Sequence, residues 1–306
     1  MKLPFGHPSL APYANRFQAA ASADASLRVG FAGTSTLHFE TGQSSVLIDG
    51  FFTRPGLARV ATGKIGPDPR AIENGMKQLG IDRLDAVVCA HSHFDHAMDA
   101  PYIASTTGAD ILGSESTANL ARGGDVAPKQ TVVVAEHKSC RYGDLELTFV
   151  DSIHSPGDRI PGTINEPLLT PASYKAWKTG TCYSIFLGHA DGTVLVHAST
   201  NFVPGALAGH RADVVYLGTA MLGKLGEQFF DDYWREVVTA TGARRVIPVH
   251  WDNFFRSAGE TLSPLPYAAD DFDVMMSLLD DRGQSDGVEI VLPPLWERTA
   301  PFEGLA

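Results

Sequence analysis

The apolar run Leu84-Asp-Ala-Val-Val-Cys-Ala90 leads straight into His91-Ser-His-Phe-Asp-His96. Its β-branched residues predict a buried strand. The segment after it, Met98 to Thr107, has helical composition. Strand, donor-rich loop, helix is the arrangement of a metal site at the carboxyl edge of a sheet. His91 and His93, one residue apart, can close on one zinc-like ion from a tight loop. Asp95 and His96 can then face a second ion beside it. A solvated loop that is merely rich in histidine is the competing reading, and the ligand spacing argues against it.

Strands are expected at about 27–40 (two of them), 44–49 and 84–90, with helices at 70–80, 97–107 and 114–122 and a short strand at 109–113. Asp68-Pro69 and Ser114 supply the helix starts. The second half predicts strands at about 131–135, 138–142, 145–153, 181–188, 193–198, 213–218, 244–250 and 287–292, with helices at 227–240 and 269–282. Residues 1–26 form an arm rich in Pro, Ala and Ser, ahead of a single domain over 27–306. Loop insertions are expected near 51–69 and 155–180, the latter carrying Pro156, Pro161, Pro167 and Pro171. Strand runs capped by helices in both halves imply two sheets packed face to face with helices outside. The Gly30-Phe-Ala-Gly-Thr-Ser-Thr36 stretch lacks the ending of a phosphate loop and reads as a β-turn between strands.

The His-x-His-x-Asp-His motif resembles the signature of the metallo-β-lactamase-fold hydrolases. Val29 to Phe39 followed by Ser45-Val-Leu-Ile-Asp-Gly50 is similar to that superfamily's opening strands. The resemblance implies an α/β four-layer αββα sandwich, with Asp49 beneath the metal loop. It implies His154, in Val150-Asp-Ser-Ile-His-Ser-Pro-Gly157, as the third ligand beside His91 and His93. It implies His250, in Val246-Ile-Pro-Val-His-Trp-Asp252, as the partner of Asp95 and His96. The Pro-x-His-Trp form looks most like the branch of ascorbate-phosphate lactonases and N-acyl-phosphatidylethanolamine phospholipases. One departure stands out. The superfamily's bridging carboxylate has no counterpart after Thr193-Val-Leu-Val-His-Ala198, where Ser199 and Thr200 are the substitutes at that position. Asp191 lies at the wrong end of its strand, and Asp158 follows His154 in an irregular stretch.

The formal charge of −11 and the absence of a basic block argue against nucleic acid and anionic membranes. No apolar run reaches the ~18 residues needed to span a bilayer. Cys89, Cys140 and Cys182 are an odd number without Cys-x-x-Cys spacing, so three unpaired thiols are expected. Cytoplasm is the expected location, with a trimmed exported protein as the alternative suggested by Ala19 to Ala25. No Gly-x-Ser-x-Gly elbow is present. His197 shares a strand face with Leu195 and reads as a hydrogen-bonded structural histidine.

These features predict a metal-dependent hydrolase using metal-activated water on a lactone, ester or amide small molecule. Asp95 is the expected catalytic group, orienting the water. Zinc, one ion or two, is the expected cofactor, with manganese or iron as alternatives. Phe51, Phe52, Tyr174, Trp177, Phe202 and Trp251 are the candidate apolar walls of the pocket, with 155–180 as a lid. Arg54, Arg59 and Lys64 are the candidate phosphate partners of a phosphodiesterase, the first alternative. A mononuclear iron redox enzyme and a degenerate metal-free binding module are the others. The oligomeric state is left open, a homodimer among the options.

Overall fold

The structure is a computed structural model that describes residues 3, 4, 6–259 and 261–305. Its strands are β1 (Arg28–Phe31), β2 (Leu37–Glu40), β3 (Ser45–Ile48), β4 (Ala86–Val88), β5 (Asp110–Gly113), β6 (Thr131–Val133), β7 (Ser139–Tyr142), β8 (Leu145–Ser152), β9 (Cys182–His189), β10 (Gly192–His197), β11 (Val214–Gly218), β12 (Arg245–Val249), β13 (Glu289–Ile290) and β14 (Arg298–Thr299). Among the described residues they form two seven-stranded sheets, ordered β14-β1-β2-β3-β4-β5-β6 and β13-β12-β11-β10-β9-β8-β7. In the first sheet β3 to β6 run parallel; in the second β10 to β13 do. The helices are α1 (Leu57–Thr62), α2 (Pro69–Gln78), α3 (Phe94–Ala97), α4 (Ala100–Thr107), α5 (Glu115–Gly123), α6 (Leu222–Leu225), α7 (Glu227–Trp234) and α8 (Phe272–Asp286).

Strand periodicity explains the layering. Val46, Ile48, Ala86 and Val88 point to one face of the first sheet and share a core with Leu145, Leu147, Phe149 and Ile185 of the second. Their neighbours Leu47, Val87 and Ile111 point to the other face and pack on Ile72 of α2 and Ile103 of α4. Successive side chains on a strand face opposite ways, so one sequence run serves two layers. On the far side of the second sheet Tyr233, Trp234, Met275 and Leu279 close the sandwich. This is the expected αββα arrangement.

Local signals account for most boundaries. Asp68 caps α2 by accepting from Arg70 N and Ala71 N, a contribution of about 1 kcal/mol. Ser114 caps α5 through Thr117 N. Other details differ from the sequence reading. The 51–69 loop contains α1, whose Val60 is buried. The expected 227–240 helix changes at Arg235 to a π-turn that runs to Thr239. The helix placed at 269–282 starts later, at Phe272, because Asp271 caps it through Val274 N. β14 is too short to leave a pattern, and it pairs with β1. The arm is not free either: Gln18 N donates to Leu292 O, and Leu292 N to Arg16 O.

The stretch 155–180, expected as a lid, is a packed strap. Ile164 is buried, and its amide donates to Ser116 Oγ at 2.9 Å. Asn119 Nδ2 donates to Ile164 O at 2.7 Å. Ala172 forms a bridge to Ile65. Trp177 is 0% exposed, and Ser92 N donates to Thr179 O at 2.8 Å. Prolines remove ladder donors, but the remaining amides and apolar side chains bind this segment to α5 and to the donor loop.

Candidate metal centre

Strands of both sheets end at one edge, and the donors follow those ends. After β4 come His91 and His93, and α3 carries Asp95 and His96 on its first turn. After β8 comes His154, and after β12 His250. Two groups form, His91 with His93 and His154, and Asp95 with His96 and His250; within each the ligand atoms lie within 4.8 Å of one another. His91 Nε2 lies 3.2 Å from His93 Nδ1, which lies 3.2 Å from His154 Nε2. His250 Nε2 lies 3.2 Å from His96 Nε2 and 3.3 Å from Asp95 Oδ2.

The remaining ring nitrogens decide which atoms face inward. His154 Nδ1 meets Ser155 O at 3.0 Å, a carbonyl that can only accept, so this nitrogen carries the proton and Nε2 is bare. His93 Nε2 faces Thr179 Oγ1 at 3.0 Å and the Asp158 carboxylate at 3.5 Å, which leaves Nδ1 bare. Two bare lone pairs 3.2 Å apart cannot hydrogen-bond to each other. A cation between them satisfies both, so the donor set fits a zinc-like ion. At the second group His96 Nδ1 faces Asp49 Oδ2 at 2.8 Å and Ser35 Oγ at 3.0 Å, turning Nε2 inward. A carboxylate behind a ligating histidine fixes its tautomer and raises its basicity. Asp49 also accepts from Ala90 N at 2.8 Å and so ties β3 to the start of the donor loop.

Electrostatics agree. Burial, reinforced by the neighbouring His96 and His93 rings, pushes His91 well below the ordinary histidine range. Burial and then His93 bring His154 to about 4. Burial lowers His93 as well, against the opposing pull of Asp95 and Asp158. The first group therefore offers neutral imidazoles at neutral pH. Burial alone would raise Asp95, yet His96 and His250 outweigh it and hold the carboxyl below the usual range. Burial likewise opposes charge on His96, and the carboxylates of Asp49 and Asp95 outweigh it and raise its pKa.

Among the expected pocket walls, Trp177 and Trp251 are 0% and 2% exposed. Trp177 sits in the core under the helices of the first sheet. Trp251 packs edge-on against Phe272. Both are interior residues, a correction to the reading of them as walls. Phe51 and Phe52 are buried in the same core as Trp177, and Tyr174 is half-buried against it. Phe202 stacks on Tyr233. The aromatic beside the donors is Phe254, whose ring meets His250 edge-on at 5.3 Å and lies 6.4 Å from Phe94. Arg54, expected as a phosphate partner, is instead locked in an ion pair with Asp252, both side chains 0% exposed. Ser199 and Thr200 follow β10 at the donor edge; Thr200 N donates to Ser155 Oγ at 2.9 Å, and its own hydroxyl is buried without a partner. His197 is the structural histidine expected, held between Ser184 Oγ and Asn201 O. The three cysteines are unpaired.

Sequence reasoning missed Ser35, Asp158 and Thr179 as supports for the histidines. Ser35 lies in the stretch read as a plain turn, and Thr179 lies in the strap, read as an irregular loop, so neither carries a local signal.

Two layers of helix around paired sheets, with clustered His and Asp at one edge, define a protein with a candidate metal centre. The family model of the metallo-beta-lactamase superfamily matches residues 29–256, and the chain belongs to that superfamily. A UPF0173 metal-dependent hydrolase of Sinorhizobium medicae is 27% identical over 138 residues, 42% of this chain and 48% of that protein. A second, from Agrobacterium fabrum, is 23% identical over 172 residues, 56% of this chain and 62% of that protein. The chain thus spans about half to three fifths of the length of these curated relatives. Among solved structures, the metallo hydrolase Igni18 from Ignicoccus hospitalis superposes with a TM-score of 0.56 at 14% identity, over 89% of this chain and 97% of that one. An isothiocyanate hydrolase from Delia radicum gut bacteria gives 0.55 at 16%, with the same coverage of 89% and 97%. CmlA, a diiron β-hydroxylase from Streptomyces venezuelae, gives 0.54 at 13%, over 90% of this chain and 54% of that one. At these identities the structural likeness shows the fold. No helix among the described residues is long and apolar enough to cross a membrane.

Proposed function

We propose that this chain is a metal-dependent hydrolase acting on an electrophilic small molecule, a lactone, ester or amide. The observation that carries the reading is the convergence of two donor triads at one sheet edge, with the inward nitrogens of His93 and His154 both bare. His91, His93 and His154 would hold one ion, and Asp95, His96 and His250 the other. Zinc suits three neutral imidazoles with a fourth position open. A divalent cation bound there supplies Lewis acidity and lowers the pKa of a coordinated water from 15.7 toward about 7. Asp95, kept ionised by His96 and His250, accepts a hydrogen bond from the attacking water and orients it. Phe254 and Phe94 offer an apolar side to the substrate next to the second triad. The engagement of Arg54 by Asp252 removes one candidate phosphate partner and favours an uncharged ester or amide over a phosphodiester.

The test is elemental analysis of protein purified without added metal, followed by lactones, aryl esters, amides, phosphodiesters, β-lactams and isothiocyanates as substrates. Zinc with turnover that His91→Ala abolishes is the expected result. Iron with oxygen consumption would turn the reading to redox chemistry. A metal-loaded chain inert on every substrate, with His91→Ala indistinguishable from wild type, counts against hydrolysis.

A further inference from the structure

The turn between β1 and β2 touches both histidines of the second triad. Thr34 O accepts the amide of His250 at 2.7 Å, and Ser35 Oγ lies 3.0 Å from His96 Nδ1. Thr34 N donates to Asp252 Oδ1 at 2.7 Å. The other oxygen of Asp252 meets Arg54 in the buried ion pair, and Arg54 Nη1 reaches Ala32 O at 3.4 Å. Gly33, with φ of 88°, completes the circuit; a Cβ there would run into the guanidinium and the carboxylate. Thr34, Arg54 and His250 all take left-handed φ values, of 53°, 43° and 63°. Non-glycine residues enter that region at about 1–3 kcal/mol each and stay there only where the surroundings over-determine them. Three of them on one ring of contacts mark a built device. Stability does not explain the ion pair, because the desolvation of two buried charges largely cancels their attraction.

We propose that Arg54 and Asp252 are positioning residues for the second cation site. Arg54 holds Asp252, Asp252 holds the Thr34 amide, and Thr34 holds His250 in the conformation that aims Nε2 at His96 and Asp95. The same turn steadies His96 through Ser35. The inference rests on the two-ion reading above for its cation readout, and on the ring of hydrogen bonds alone for its second readout.

The test compares wild type with Arg54→Met/Asp252→Leu, which removes both charges together and so leaves neither buried alone. Amide exchange of the metal-free proteins is read at Thr34 and His250, and two affinities are read by titration with Co²⁺ alone. In the double variant both amides exchange faster by roughly tenfold or more. The second Co²⁺ binds roughly 10- to 100-fold more weakly, the range for groups that orient ligands, while the first is unchanged. Arg54→Met/Asp252→Asn keeps an acceptor for Thr34 N and restores protection of that amide. Arg54→Lys, which keeps the charge but loses the fork, shows the same pattern in smaller measure and serves if the double variant does not fold. Wild-type exchange at both amides, or equal weakening of both ions, overturns the proposal. A wild-type chain that takes up no second Co²⁺ sinks the two-ion reading instead, and the amide exchange then decides the positioning role by itself.

Discussion

Asp99 is a residue whose titration belongs to the fold. Burial pushes it up to about 6 from 3.8, although its carboxylate accepts from Phe52 N, Thr53 N and Thr53 Oγ1. Its folded pKa lies above the unfolded one. The stability it contributes is therefore complete below pH 3.8 and is lost as pH rises through about 6. Asp99→Asn keeps an oxygen for the two amides and never ionises. The variant should match wild type at pH 4 and exceed it by roughly 1–3 kcal/mol at pH 8. Denaturant curves at the two pH values check this, and an equal difference at both would refute it. The donors themselves were legible in the sequence, because four of them sit within six residues at a strand end. Asp49 apart, their supports were not. Thr179 is 86 residues from His93, Ser35 is 61 from His96, and Arg54 is 198 from Asp252, so only the fold brings them together. At the position without a bridging acid, the partnerless hydroxyl of Thr200 gives a further prediction. Thr200→Asp or Ser199→Asp should raise the second ion's affinity, at whichever position faces it, and destabilise the metal-free chain through an unpaired buried charge. Calorimetric titration with both variants like wild type would show that neither position faces the ions.

At the scale of elements, short apolar, β-branched runs located nearly every strand, because the central strands are buried on both faces. Local pattern failed where identity is set by neighbours. Trp177 and Trp251 look alike in a sequence whether they line a pocket or fill a core, and both fill a core. The anchoring of 155–180 is hidden for the same reason, since proline content reports missing ladder bonds and says nothing of side-chain packing. With Trp177 fully enclosed and Ile164 buried, Trp177→Ala should cost roughly 3–5 kcal/mol. Deleting 160–176 should abolish cooperative unfolding rather than open a lid. A thermal melt in which Trp177→Ala stays within about 1 kcal/mol of wild type would return the segment to the status of a mobile cover.

Across the whole molecule, each triad draws on both sheets. His91 and His93 leave the first sheet and His154 the second; Asp95 and His96 leave the first and His250 the second. A cation in either place is therefore a link between the two halves of the sandwich, present in the folded chain and absent when the halves part. Binding to the folded state alone stabilises by about 2.7 kcal/mol at a hundredfold excess over Kd and about 4.1 at a thousandfold. The melting temperature should therefore rise with Zn²⁺ in two increments and fall on chelation. His154→Ala should remove the increment of the first triad and leave that of the second, and His250→Ala should do the converse. The two variants separate a true link from general charge relief, since a chain of net charge −11 gains from any divalent cation bound anywhere on its surface. If both variants gained as much from Zn²⁺ as wild type does, the stabilisation would come from such surface binding, and the triads would not be joining the sheets.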